Sequence, residues 1–323
     1  MEGWLGMKIT DIAILFVIIT LPFMQILRIK SDNLQATAYK TVLLNSYIDA
    51  AVEDASVAMI DEGTDSKITV SKEKALSAFL HTLFVNFKVK DNIGQNRLMA
   101  YVPVIILIEY DGFHTFSMQE YLNSTNVEEE KMVWKPKRPY VYESEGFVYL
   151  FTLDSYVKVY DSAINSFHEG TLDEVKAVST APLLQDSKLF EEIRKRTIIE
   201  AIKSDVNNTI NLHNTYAGRF GISYRFSPPS ISNADWHRNI EDVGFLAFFQ
   251  GIPIGLGGER FNSFALGGSR VVRSKSYYIQ QDTNGFFYYH KEHCTKLTER
   301  HEVYDSREKC AKKGAFPCNV CRP

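Results

Sequence analysis

The sequence lacks the short motifs that mark the most common enzyme sites. It contains no Gly-x-Ser-x-Gly, no His-Glu-x-x-His and no Gly-x4-Gly-Lys-Ser, which excludes the usual hydrolase and phosphate-loop signatures. The glycine-rich stretch from Gly251 to Gly268 also lacks the third glycine of a dinucleotide-binding fingerprint, so it indicates a turn-rich loop. The sequence therefore predicts no catalytic residue, no cofactor-binding residue and no enzymatic activity.

A strong charge of either sign is also missing. The formal net charge is −3 over 323 residues, and the basic residues are scattered along the chain. Charge therefore offers no support for a nucleic-acid partner, although such a partner is possible. No repeat of solenoid type is present, and 45% hydrophobic residues are enough to bury a core in one or two domains.

One long hydrophobic run stands out near the N-terminus. Residues 12–27 contain no charged side chain, and the run is flanked by Lys8 and Arg28. A membrane-spanning helix needs roughly 20 apolar residues, which the run reaches when Ile9 and Thr10 are included. The alternative is a cleaved secretory signal, but the only small-x-small site, at residues 36–38, follows several charged residues. A retained membrane helix is therefore favoured.

The residues around the start of this run resemble a processing signal. Gly6 is followed by Met7, by Asp11 at the fifth place after the glycine, and by an apolar segment that contains Pro22. This order resembles the N-terminus of type IV pilins and Tad-type pseudopilins. The resemblance covers about the first sixty residues. It differs from the family in having Asp where Glu is usual and no basic residue before the glycine.

The resemblance implies a role for each of these residues. In the pilin family a peptidase cuts after the glycine and methylates the new N-terminus, so Gly6 would be the cleavage site and Met7 the mature N-terminus. Asp11 would be the assembly carboxylate that pairs with the terminal amine of a neighbouring subunit, because a charge buried in a helix bundle needs a partner. An ordinary membrane anchor, with Asp11 at the headgroups, is the alternative.

Orientation is predicted from the same resemblance. Lys8 precedes the apolar run, whereas Arg28, Lys30 and Lys40 follow it, and by the positive-inside rule this would leave the body in the cytoplasm. A pilin-like protein requires the opposite. We expect a single-pass protein of the cell membrane whose body is extracytoplasmic.

Helical periodicity resumes beyond the membrane segment. Small and apolar residues line one face at three- and four-residue spacing: Leu44, Ile48, Ala51, Ala55 and Ala58. If the membrane segment and this segment form a single rod from Ile9 to Ile60, the rod would be about 75 Å long at 1.5 Å per residue. Its stripe would pack either on the protein's own body or on a neighbouring copy.

Further helices and strands are predicted in the body. Ser71 caps a helix, and a third helix runs from Ser187 toward His213, with Gly218 as its stop. Strands are expected over 99–110, through Phe116 after the Asp111-Gly112 turn, and over 140–142, 147–153, 156–160, 222–226 and 269–280. Those between 140 and 160 form an antiparallel meander.

All four cysteines lie in the last thirty residues. The spacing His290-x3-Cys294-x23-Cys318-x2-Cys321 supplies two close ligand pairs, which suits a tetrahedral Zn²⁺. Cys310 is left over and is expected to pack or remain free. Two disulfides are the alternative if the body is extracytoplasmic.

This tail resembles the zinc-binding module of Ada-type DNA repair proteins over about 35 residues. That family has four cysteines at corresponding places, one of which accepts a methyl group. His290 stands at that first place here, so the resemblance implies a closed structural zinc site without alkyl transfer.

Together these patterns predict an α+β protein in four parts. They are a leader and membrane helix (1–30), an extended amphipathic helix (31–62), an α+β body (63–280) and a zinc-binding module (281–323). The predicted function is that of a pseudopilin-like structural component of a pilus or secretion apparatus, with other pilin-like subunits or secretion proteins as partners. The alternative is a membrane-tethered protein of DNA uptake or conjugation that binds nucleic acid or another partner through the zinc module.

Overall fold

The protein combines helices with mainly antiparallel sheets, being 46% helical and 29% strand. The computed structural model describes residues 9–62, 68–122, 126, 128–228, 231, 236, 240, 242–268, 277–282, 285–291, 294–298, 302–304 and 307–321. The predicted processing residues Gly6 and Met7 lie outside these ranges. The chain divides into two compact units, residues 1–269 and residues 270–323.

The helices have clear boundaries. They are α1 (Ile9–Ala58), α2 (Lys72–Asn86), α3 (Asn92–Met99), α4 (Leu172–Val178), α5 (Ser187–Ala217) and α6 (Arg307–Lys312). Two short 3₁₀ turns, Pro182–Gln185 and Gly218–Phe220, flank α5. Ser71 caps α2, since its hydroxyl accepts a hydrogen bond from the Lys74 N–H, as its sequence position predicts.

Helix α1 is one continuous rod of 50 residues. Within residues 10–32 every side chain is exposed except Thr20, whose hydroxyl donates to the Phe16 carbonyl. Further along, Ile48, Ala51 and Ala55 are buried, which confirms the predicted stripe. This second half packs on α2 and on two strands of the body, so the stripe is covered by the protein's own fold.

Helix α1 packs on a five-stranded antiparallel sheet. Its strands are β3 (Ile105–Glu109), β4 (Gly112–Leu122), β5 (Glu128–Trp134), β10 (Gly244–Pro253) and β11 (Arg260–Gly268). Their order is β11-β10-β3-β4-β5. Strand β10 is buried along most of its length because it is covered on both faces. Phe79 of α2 meets Phe245 of β10 with ring centroids 5.3 Å apart.

A second sheet of four antiparallel strands follows in the chain. Its strands are β6 (Tyr140–Ser144), β7 (Phe147–Phe151), β8 (Tyr156–Asp161) and β9 (Ser166–Thr171), joined in sequential order. This confirms the predicted meander and extends it by one strand. Helix α5 contacts both sheets, since Asp205 accepts a hydrogen bond from Thr115 of β4 and buried Arg194 donates to the Leu153 carbonyl after β7.

The other strands among the described residues form a two-stranded and a four-stranded sheet. Strands β1 (Ile60–Glu62) and β2 (Ile68–Val70) pair with each other. In the second unit β12 (Tyr277–Gln281), β13 (Phe287–Lys291), β14 (Glu302–Tyr304) and β15 (Phe316–Pro317) are ordered β14-β12-β13-β15. Strands β13 and β15 are parallel, which no local turn motif predicts. All four strands of this sheet lie in the second unit, residues 270–323.

Several predicted element boundaries differ from the structure. The strand expected over 99–110 begins only at Ile105. Helix α3, which Asp91 caps, ends at Met99, and Pro103 follows in the connection before the strand. Helix α5 ends at Ala217 as expected, but the left-handed glycine is Gly221, φ +74°, after a 3₁₀ turn. Residues 222–226 form no strand, and most of the strand predicted over 269–280 lies outside the described residues.

Candidate metal centre

Four side chains of the second unit converge on one point. The ligand atoms of His290, Cys294, Cys318 and Cys321 all lie within 4.8 Å of one another. His290, Cys294 and Cys318 are buried, and Cys321 is half-buried. The structure thus brings together all four residues that the spacing predicted as metal ligands, and the group could hold a metal ion.

Backbone pairing explains how the two ligand pairs meet. Strands β13 and β15 are parallel, with Tyr289 opposite Pro317, so the next residues along each strand, His290 and Cys318, lie side by side. The Cys318 N–H also donates to the Tyr289 carbonyl, 3.1 Å away. Cys321 lies in the turn that follows Cys318, and Cys294 begins a turn that is closed by a hydrogen bond from the Leu297 N–H to the Cys294 carbonyl, 2.9 Å away.

Two of the distances between ligand atoms match those around a tetrahedral ion. With metal–sulfur bonds of about 2.3 Å and metal–nitrogen bonds of about 2.0 Å, tetrahedral geometry places two sulfurs about 3.8 Å apart and a nitrogen and a sulfur about 3.5 Å apart. In the structure Cys294 Sγ lies 3.9 Å from Cys318 Sγ, and His290 Nδ1 lies 3.3 Å from Cys294 Sγ. None of the three cysteines of this group, nor Cys310, is in a disulfide in the described part of the chain.

Electrostatics favour the ligand forms of two of these groups. Burial lowers the pKa of His290, and the positive charge of Lys296 lowers it further, so the imidazole is neutral near pH 7. Burial alone would raise the pKa of the Cys318 thiol, but the backbone N–H groups of Cys321 and Val320 and the neighbouring thiols lower it overall. A neutral imidazole and a thiolate are the forms that bind metal.

Cys310 has a different environment from the other three cysteines. It is fully buried on α6, in an apolar cluster with Tyr277, Ile279, Tyr289 and Ala315. It is not one of the four residues of the ligand group. The expectation that Cys310 packs is confirmed.

The other predicted features lie in the first unit. Asp11 is in the first turn of α1 and is exposed. The glycine-rich stretch forms the hairpin of β10 and β11, and its turn is at residues 254–259. This confirms the expected turn.

Charge per unit is a signal that the whole-chain total conceals. Residues 270–323 contain eleven Lys and Arg against six Asp and Glu, whereas residues 1–269 carry the acidic excess. Three lysines on or near α6, Lys309, Lys312 and Lys313, are exposed. In the same unit the aromatic side chains of Phe287 and Phe316 are exposed as well. Counting charges by domain would have found this difference in the sequence.

Comparisons with known proteins identify no relative of this chain. No family model, no curated protein and no solved structure matches the chain. The long apolar helix and the Cys₃His group are the features of the chain that bear on its function.

Proposed function

We propose that the protein is a membrane-anchored, pseudopilin-like structural component of a pilus or secretion apparatus. The observation that supports this most is the two-part character of α1. An 18-residue window of the helix has a mean hydropathy of 2.3 and is not buried at all, while Ala51, Val52 and Ala55 of the same helix are buried in the body. One rigid element thus joins an apolar assembly or membrane segment to a folded head.

The length of the exposed segment suits this role. From Ile9 to Lys30 the helix rises about 33 Å at 1.5 Å per residue, which matches the roughly 30 Å of a bilayer's hydrocarbon core. The same segment can be transferred from lipid into a bundle of identical helices, since both environments accept apolar side chains. Asp11 lies near the start of this segment, and we assign it the role of the assembly carboxylate.

The mass of the mature N-terminus tests this proposal. In the native cells we expect a chain that begins at Met7 and carries an added methyl group. Gly6→Val should block this cleavage, whereas Gly3→Val, the matched change at the other leader glycine, should leave it intact. A wild-type chain that retains Met1 and is unmethylated would contradict the proposal.

The role of Asp11 is tested separately. Asp11→Ala should abolish assembly into filaments without unfolding the body, while Asp11→Glu should preserve assembly because it keeps the carboxylate. Filaments sheared from whole cells provide the measurement. Assembly by the Asp11→Ala variant at the wild-type level would show that Asp11 is not the assembly carboxylate.

We further propose that the Cys₃His group binds one structural Zn²⁺. Three thiols and one imidazole fill all four tetrahedral positions, so no position remains for substrate, and a closed site of this kind is typical of structural zinc. Metal content of the purified full-length chain should be one zinc per chain. Two disulfides without bound metal would contradict this assignment.

The second unit also supports a second candidate function, binding of nucleic acid. Its basic excess and its exposed Phe287 and Phe316 combine the charge that attracts a phosphate backbone with faces on which bases can stack. We expect the full-length protein in detergent to bind a fluorescent single-stranded oligonucleotide with affinity that falls with salt. Phe316→Ser should weaken binding, and Ile164→Ser, at an exposed apolar position of the first unit, should not. Equal binding by both variants would show that Phe316 makes no contact with the bases and that only non-specific charge attraction holds the oligonucleotide.

The orientation of the protein in the membrane determines on which side of the membrane such partners bind. An extracytoplasmic body should be digested when protease is added to whole cells. A body that resists protease until the cells are opened would place it in the cytoplasm and favour the partner-binding alternative.

A further inference from the structure

The turn between β10 and β11 projects the most exposed large apolar side chain among the described residues. Leu256 is 89% exposed, and it stands between Gly255 and Gly257 at the tip of the hairpin. The turn is closed by a hydrogen bond from the Ile254 N–H to the Glu259 carbonyl, 3.0 Å away. Leu256 therefore belongs to an ordered turn with a defined position.

This turn is attached to α1 at the end of its apolar segment. The Asn33 side chain accepts a hydrogen bond from the Leu256 N–H at 3.0 Å and donates one to the Glu259 carboxylate at 3.3 Å. A β-carbon on Gly255 would lie 2.9 Å from the Thr37 hydroxyl, so the glycine permits this close approach. The tip of the hairpin is thus fixed next to Asn33.

The rest of the hairpin runs along α1 away from this point. Gly267, near the far end of β11, packs against Val52 and Ser56 of the helix. From Asn33 to Ser56 the helix rises about 35 Å, and the nine residues of β11 span about 30 Å. The strand and the helix therefore run side by side, with the turn at the end nearest the apolar segment.

From these contacts we infer that the Leu256 turn rests on the membrane surface and inserts its leucine among the lipid headgroups. Asn33 lies six residues, or about 9 Å, beyond Leu27, where the uncharged run ends. The four residues from Gly255 to Gly258 carry no charge, and the carboxylate of Glu259, the charged residue of the turn, accepts hydrogen bonds from Asn33 and from the Gly257 N–H. The turn would give the body a second contact with the bilayer, and this contact would limit how far the body tilts relative to the membrane surface. This inference rests on the proposed membrane role of α1.

Photo-crosslinking of the full-length chain in vesicles of phosphatidylcholine and phosphatidylglycerol tests the inference. Leu256→p-benzoylphenylalanine should form lipid adducts, detected by mass spectrometry, several-fold above the same substitution at Ile164. Ile164 is a matched control because it is also exposed, at 70%, in the turn between β8 and β9 of the other sheet. The substitution at Phe16, within the apolar segment, reports whether α1 itself lies in the bilayer.

The outcomes separate this inference from the proposed function. Lipid adducts at position 16 but none at 256 above the Ile164 background would overturn the inference and leave the membrane helix in place. Adducts at 256 to a second copy of the chain would also overturn it, since the turn would then face a subunit. Absence of lipid adducts at position 16 would contradict the membrane role of α1, and the inference would fall with it.

A second variant tests the attachment to α1. Asn33→Ala removes both hydrogen bonds that hold the turn and should lower the lipid adducts at position 256 several-fold while leaving those at position 16 unchanged. An unchanged yield at 256 would show that Asn33 does not position the turn.

Discussion

The two units of the chain differ in the size of their apolar cores. In residues 1–269, aromatic rings form a continuous contact, from Tyr47 of α1 through Phe87, which follows α2, to Phe249 of β10, at centroid distances of 5.6 and 5.4 Å. In residues 270–323 one buried cluster consists of five residues around Cys310. A unit of this size rarely gains enough stability from burial alone. We propose that a metal ion bound by the Cys₃His group supplies the cross-link that such a small core needs.

The largest expected effect is on the second unit, and it comes from removing a single ligand. Cys318→Ala should abolish metal binding and with it the fold of residues 277–321, because a three-ligand site binds far more weakly and structural zinc supplies roughly 10 kcal/mol or more of folding free energy. Metal content and circular dichroism of the purified full-length variant provide the measurement.

Cys310→Ala is the matched control for that change. Both thiols are buried, at 3% and 0% exposure, but only Cys318 is in the ligand group. The control should keep its metal and lose only about 1 kcal/mol, the cost of a small cavity. Equal loss of metal in both variants would refute the assignment of the four ligands.

The first unit should respond to a change in packing instead. Gly267 lies so close to α1 that a β-carbon would be 2.8 Å from Val52 Cγ1 and 3.0 Å from the Val52 carbonyl oxygen. Gly267→Ala should therefore separate β11 from α1 and lower the free energy of unfolding by about 1–3 kcal/mol. Thermal unfolding in detergent measures this change.

The neighbouring glycine offers a control for this prediction. At Gly268 the nearest atom to an added β-carbon is 3.9 Å away, which is ordinary contact. Gly268→Ala should change the midpoint of unfolding little. If the two variants unfold alike, close packing of α1 on β11 does not stabilise this unit.

The smallest effect is a pH dependence in the first unit. His213 is 1% exposed; its Nε2 donates to the Ala100 carbonyl at 2.9 Å, and its Nδ1 has no partner among the described residues. Burial lowers the pKa of His213, and the Ala100 contact only partly opposes this.

Because the folded pKa is below that of the unfolded chain, stability is complete above about pH 6.5 and falls as the pH is lowered toward the folded value. The loss is at most about 1.4 kcal/mol per pH unit. His213→Gln keeps a donor for Ala100 but does not titrate, so its unfolding free energy should depend less on pH between about pH 7 and about pH 5. Identical slopes would show that His213 does not contribute.

Features that depend on neighbouring residues in the chain could be predicted from the sequence. The rod of α1, the Ser71 cap and the strand meander depend on local periodicity and turn chemistry. The members of the Cys₃His group could be predicted because each close pair, such as Cys318 and Cys321, needs only a short turn to bring its two side chains together.

Features that depend on distant pairing could not be predicted. Strand β10 is placed beside β3 by a contact across more than a hundred residues, and no local pattern specifies that partner. The close approach of Gly267 to Ser56 likewise arises only once helix and sheet have packed. The attachment of Asn33 to the Leu256 turn is of the same kind.

Hydrogen exchange of the full-length chain in detergent, with and without a zinc chelator, tests most directly the claim that the two units are stabilised differently. We predict that chelation removes protection from β12, β13 and β15 and leaves β3, β4 and β10 protected. Protection that persists in β13 after the metal has been removed, or that is lost in both units together, would contradict this account.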